Sequence, residues 1–128
     1  MLIIRLARRG RLTVSTLGEK QKEFTLDVAR LIQWAYQHGY QLSVGDCYRS
    51  PAAAKANADA GIGIANSLHT KRLAIDLNLF RDGEYLTHRE DYEPLGVYWE
   101  SLREGNCWGG RFARPDSDHF SREHEGVR

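Results

Sequence analysis

An excess of charge is missing from this sequence: eighteen Lys and Arg offset seventeen Asp and Glu, leaving a formal +1. There is therefore no general electrostatic reason to favour nucleic acid or anionic lipid as a partner. Cysteine is scarce. The two present, Cys47 and Cys107, lack the dense spacing of a secreted disulfide scaffold, so both read as free thiols. Long apolar runs are absent, and nothing approaches the roughly 20 residues a transmembrane helix needs. The start, MLIIRLARRG, places its apolar run before its basic residues, the reverse of a signal peptide, and has no small-residue cleavage site. Synthesis as a soluble cytoplasmic product is the expectation. Repeats, low-complexity tracts and Pro/Ser-rich linkers are missing as well. With 128 residues there is no room for a second independent core, so residues 1–128 are expected to form one domain. A chain of this size buries about two-thirds of the surface its unfolded form exposes and needs no metal merely to stay folded. Any metal it holds is free to be catalytic.

What is present begins with a helix. Thr16 followed by Glu19 has the form of a capping box, and Phe24, Val28, Leu31, Ile32 and Ala35 recur at helical spacing as far as Gly39. The stretch from Tyr40 to Tyr48 reads as a strand with Leu42 and Val44 on one face, delivering Tyr48 and Arg49 at its end. Ser50 then caps a short Ala-rich helix that Pro51 opens and Gly61 stops, and GIGIANS follows as a loop. From Lys71 to Phe80 the period changes to two: Leu73, Ile75, Leu77 and Leu79 point one way, Ala74, Asp76 and Asn78 the other. Asp82-Gly83 marks a two-residue hairpin, with Glu84 to Leu86 pairing back. Pro94 is read as opening another helix, whose apolar side carries Leu95, Tyr98, Trp99 and Leu102 up to Gly105. The Gly- and aromatic-rich segment from Trp108 to Phe120 is expected to supply the last strand or loop of the sheet.

Chemistry concentrates in SLHTKRLAID, where His69 precedes a strand and Asp76 lies on its polar face. Zinc accepts imidazole nitrogen and carboxylate oxygen, and a catalytic site commonly has three protein ligands with a fourth position left for water. His69 and Asp76 are two candidates, and His119, in RPDSDHFS, is the third. Asp116, three residues earlier, is placed to act as a general base in amide hydrolysis. Asp118 is set aside because successive strand residues point to opposite faces. Cys47 reads as a small buried hydrophobe or a lining residue, Trp108 and Phe112 as core, and Lys71 and Arg72 as solvated. His38, His88 and His124 have no assigned role.

These residues resemble a known family, the zinc D-alanyl-D-alanine carboxypeptidases and dipeptidases, with the related L-alanyl-D-glutamate endopeptidases of bacteriophages. The family's Ser-x-His, six further residues and Asp are matched by Ser67, His69 and Asp76, and its acidic-x-x-His by Asp116 and His119. Tyr48-Arg49-Ser50 and Trp108-Gly109-Gly110 resemble the phage endopeptidases in particular, and the likeness runs from about Gln21 to Phe120. It implies an α+β fold of the hedgehog/D-alanyl-D-alanine peptidase kind, a small antiparallel sheet with packed helices. It also implies Zn²⁺ held by His69, Asp76 and His119, with Asp116 as general acid/base. Arg49 would stabilise the oxyanion or bind substrate, or else form a structural ion pair. Ser67 would bind substrate or orient the loop before His69.

The expected activity is that of a peptidoglycan hydrolase, a zinc metallopeptidase cutting a stem-peptide amide as a phage endolysin. It would be made in the host cytoplasm, act on the cell wall after release, and work as a monomer without nucleic acid or stable membrane insertion. A virion-associated role is compatible. The alternatives are a D-alanyl-D-alanine carboxypeptidase or dipeptidase, and a non-catalytic zinc-stabilised binding domain.

Overall fold

A computed structural model of the chain describes residues 4–6 and 12–128, the backbone alone for 4–6 and 12–14. The apolar-then-basic start lies partly outside the described residues. Seven strands and three α-helices follow in the order β1 (Ile4–Leu6), β2 (Leu12–Val14), α1 (Leu17–Gln37), β3 (Gln41–Val44), α2 (Pro51–Asp59), β4 (Ala74–Arg81), β5 (Glu84–Leu86), α3 (Arg89–Leu102), β6 (Asn106–Trp108) and β7 (His119–Arg122). Among the described residues, no helix is long and apolar enough to cross a membrane.

Local chemistry accounts for most of these boundaries. Thr16 Oγ1 accepts from Glu19 N at 3.1 Å and starts α1, while Ser50 Oγ accepts from Ala53 N at 3.1 Å and starts α2 behind Pro51. Asp82 and Gly83, both at positive φ, turn β4 into β5, so that Arg81 faces Glu84. α3 begins five residues before the proline that was expected to open it. The Asp91 carboxylate accepts from His88 N at 3.1 Å and caps the helix there. Pro94 therefore sits inside the helix, where it forgoes one backbone bond.

The sheets are antiparallel. β1 and β2 form a separate hairpin that the apolar start did not announce, while the other five strands form one sheet with β4 at its centre. One edge of β4 pairs with β3. The other is shared end to end, with β5 on Leu79–Arg81 and β7 on Ala74–Asp76. β6 then adds to β7, so the last segment supplies two strands rather than one. β3 is shorter than the alternation predicts, because Gly45 N donates to the Asp76 carbonyl while Asp76 N donates to that of Asp46, both at 2.8 Å. Two residues opposing one is a β-bulge, and it diverts the chain toward the start of β4. Val44 is exposed at this end.

Alternation along β4 is as read, although the strand begins at Ala74. Leu68–Lys71 form a 3₁₀ turn that ends at Arg72 in the left-handed region, φ 55°. Leu73, Ile75, Leu77 and Leu79 are buried against Phe24, Leu31 and Ala35 of α1 and Tyr92, Leu95 and Trp99 of α3. Trp99 meets Phe24 and Phe120 edge to face, and its Nε1 donates to the carbonyls of Cys107 and Ser121 at 3.1 and 3.0 Å. The helices thus cover one face of the sheet, leaving Asp76 and His119 to the other. Ile32, read as part of the α1 core face, is only half-buried and lies outside this cluster.

Candidate metal centre

Register brings the site together. Asp76 on β4 and His119 on β7 are direct cross-strand partners, so their side chains rise side by side from the same face. His69 arrives from the 3₁₀ turn just before β4. Ser67 Oγ accepts from His69 N at 3.3 Å and fixes that turn, and Arg49 N donates to the His69 carbonyl at 3.1 Å. The bulge at Gly45–Asp46 thus carries Cys47 to Arg49 alongside His69.

His69 Nδ1 lies 2.8 Å from the Cys47 carbonyl. A carbonyl can only accept, so Nδ1 carries the proton and Nε2 of the neutral ring keeps its lone pair. That Nε2 lies 3.4 Å from Asp76 Oδ1, and His119 Nδ1 lies 3.5 Å from the same oxygen. One atom from each of the three residues falls within 4.8 Å of the others. His69 and His119 are 3% and 6% exposed, too buried for solvent to satisfy them freely. Asp76 Oδ1 and His119 Nε2 are buried without a hydrogen-bond partner.

These separations fit a metal better than a hydrogen-bonded cluster. Bonds of roughly 2.0–2.1 Å at tetrahedral angles place ligand atoms about 3.3–3.4 Å apart, close to the spacing across Asp76 and longer than a good hydrogen bond. The donor set of two imidazoles and one carboxylate suits zinc, and the surroundings prepare it. Burial pushes the Asp76 carboxyl up, but His119 and His69 outweigh it and hold it at about 2, so the carboxylate is ionised. For His69, burial opposes the charged form, yet Asp76 and the Cys47 carbonyl raise its pKa above the ordinary value.

Asp116 stands beside this group, exposed, with Oδ2 3.8 Å from His119 Nδ1. The chain between them turns rather than extends, since His119 N donates to the Asp116 carbonyl at 3.1 Å. That turn brings in Asp118 as well, against the alternation argument that set it aside: Asp76, Asp116 and Asp118 each offer an oxygen within 4.8 Å of the others. Burial, a hydrogen bond with Asp116 and the charges of Asp76 and Asp116 push the Asp118 carboxyl up to about 7.

Trp108-Gly109-Gly110 is the brace behind the turn. The Gly109 carbonyl accepts from Asp116 N at 2.9 Å and Phe112 N at 3.1 Å, and a Cβ on Gly109 would overlap the Asp116 carbonyl. Trp108 is fully buried between Gly96 and Gly110, either of which would strike it with a side chain, and its Nε1 donates to the Ser117 carbonyl at 2.7 Å.

The group lies in a cleft of about 520 Å³ also lined by Arg49 and Ser67. Arg49 is ion-paired to Asp46 at 2.6 Å. Cys47, read as a buried hydrophobe or a lining residue, is an exposed free thiol, and its backbone carbonyl bonds to His69. Phe112, read as core, is half-buried and lines the cleft with its ring 5.4 Å from that of His119. Periodicity could not find it, because Phe112 lies in an irregular segment.

Residues 60–122 match the sequence model of a family described as D-alanyl-D-alanine carboxypeptidase. That span contains Ser67, His69, Asp76, Asp116 and His119 but not Arg49. No curated protein is a significant sequence match. Among solved structures, the chain is similar to the Serratia marcescens L-Ala D-Glu endopeptidase ChiX, with 22% identity over 83% of this chain and 85% of that one and a TM-score of 0.64. It is also similar to a mutant of the vancomycin resistance D,D-pentapeptidase VanY from a VanB-type resistance cassette, in complex with Zn(II). There the identity is 18% over 95% of this chain and 79% of that one, with a TM-score of 0.51. At these identities, the likeness establishes a common fold.

Proposed function

We propose that the chain is a zinc metallopeptidase of the D-alanyl-D-alanine carboxypeptidase family, acting on peptidoglycan, and that it hydrolyses the L-alanyl-D-glutamate bond of the stem peptide. His69, Asp76 and His119 hold the zinc. The observation that carries this reading is the convergence of two buried imidazoles and the half-buried Asp76 carboxylate, whose Oδ1 has no hydrogen bond, on one point, with the exposed carboxylate of Asp116 beside them.

Zinc bound there supplies Lewis acidity and makes water a practicable nucleophile near neutral pH. The protein's own groups do the rest. Asp116 Oδ2 takes a proton from the attacking water as the new C–O bond forms and returns it to the nitrogen as the C–N bond breaks. Arg49, oriented by Asp46, stabilises the oxyanion that develops on the scissile carbonyl. Ser67 orients His69 through its backbone and also faces substrate at the cleft wall. The Cys47 carbonyl holds His69 in the tautomer that leaves Nε2 available.

In biological terms this is a bacteriophage lysis enzyme that acts as a monomer and reaches the wall after release. A terminal D-alanyl-D-alanine substrate is the second reading, favoured by the description of the matching family model. Mass spectrometry of digested wall fragments separates the two. New L-Ala carboxyl and D-Glu amino ends are expected, whereas release of free D-Ala without an internal cut would overturn the endopeptidase assignment.

A further inference from the structure

Two guanidinium groups in the cleft are uncommitted. Two arginines near the site have acidic partners: Arg49 pairs with Asp46, and Arg111 pairs with Glu100, both at 2.6 Å. Arg114 and Arg128 line the same cleft as His69, Asp76, Asp116 and His119, and both are exposed. Neither side chain has an ion pair or hydrogen bond with any described residue. Arg128 is held in place by Phe112, its guanidinium carbon 5.4 Å from the ring centre, and that ring in turn stands 5.4 Å from His119. Arg114 lies two residues before Asp116, on the segment that carries the acid/base group to His119.

A planar guanidinium facing a cleft is suited to grip a carboxylate through two parallel hydrogen bonds. Substrate chemistry, taken on the reading above, offers one in the right place. When D-glutamate is joined onward through its side-chain carboxyl, the carbon bearing the scissile nitrogen keeps a free α-carboxylate. A terminal D-alanine keeps one too.

We propose that Arg114 and Arg128 form a carboxylate clamp that selects, on the leaving-amine side of the scissile bond, a residue with a free α-carboxylate. Walls in which that group is amidated are then poor substrates.

The test uses the zinc-loaded protein and two matched pairs of synthetic peptides. One pair carries L-Ala-D-Glu with the α-carboxylate or its carboxamide; the other ends in D-Ala-D-Ala as acid or amide. The wild type should prefer an acid over its amide by on the order of tenfold or more, mainly through KM. Arg114→Gln and Arg128→Gln should each bring the ratio toward one. Both side chains are exposed, and the one ring contact given up is that of Arg128 with Phe112.

Equal cleavage of acid and amide by the wild type would overturn the clamp and leave the peptidase reading intact. The same acid preference confined to the D-Ala-D-Ala pair would support the clamp and overturn the endopeptidase assignment. If no peptide is cut, the peptidase reading fails, and calorimetry of the metal-free protein with the D-Glu product peptide decides the clamp: tighter binding of the acid supports it, and equal affinity overturns it.

Discussion

On the helix side of the sheet, Asp27 is completely buried, and every group around it donates. Arg103 gives it two hydrogen bonds at 2.8 and 3.2 Å, Asn106 one at 3.2 Å and Arg30 one at 3.3 Å. Glu23 next to it receives Arg103 and Arg122 at 3.0 and 3.3 Å. Asn106 Oδ1 and Arg122 Nη2 are left over at the margin, but both carboxylates are fully engaged. On the opposite face, Asp76 has two imidazoles beside it, at 3.4 and 3.5 Å, longer than good hydrogen bonds. Its Oδ1 has no hydrogen bond, and neither does His119 Nε2. The first cluster ties α1 to the end of α3, β6 and β7, and proton donors meet both of its carboxylates. The second presents a donor set that suits a cation. Burial of polar groups alone does not mark a function; which side supplies the protons does.

The contrast can be broken most strongly at Asp116. Asp116→Asn should retain zinc and the fold while hydrolysis falls by about 10²–10⁴-fold, the usual contribution of a general acid/base. Kinetics with parallel metal analysis check it, and an unchanged rate would reject Asp116 as the base. On the structural side, Asp27→Ala should cost about 3–5 kcal/mol in denaturant unfolding, because it strands Arg103 beside Glu23 without its main partner. A loss within experimental error would mean that the network is not structural.

His119→Gln should abolish zinc binding yet change metal-free stability by only about 1 kcal/mol, the ordinary cost of a substitution. Zinc at a hundredfold excess over its Kd should stabilise the wild type by about 2.7 kcal/mol and leave the variant unmoved. Thermal unfolding with and without metal reads both.

The last prediction concerns pH. The folded pKa of Asp118 is about 7, above the roughly 3.9 of an unfolded Asp. The native state therefore holds the extra proton between these values. The metal-free protein should lose stability as pH rises from about 4 to about 7, and no more from this group beyond that. Asp118→Asn removes this slope, so its Tm should gain on the wild type at pH 8 relative to pH 4. A constant difference would contradict the carboxylate crowding.

Sequence made the local parts of this picture legible. The Thr16–Glu19 capping box, the Ser50-Pro51 start, the alternation along β4 and the Asp82-Gly83 turn each depend on residues close together in the chain. What escaped depends on distance or competition. The Pro94 signal lost to Asp91 capping His88, and the irregular segment before β7 hid both the Asp116–His119 turn and the entry of Asp118. No periodicity could place Asp76 opposite His119; that requires strand register, and the motif resemblance supplied the pairing without its cause. The unpaired state of Arg114 and Arg128 likewise depends on where other chain segments put their carboxylates.

The most direct test of the metal centre is zinc stoichiometry combined with cleavage of wall peptides before chelation, after it, and after zinc is returned. One zinc per chain is expected, with cleavage lost in chelator and restored by zinc. A protein that binds no zinc, or that cuts equally well in chelator, would contradict the assignment of His69, Asp76 and His119.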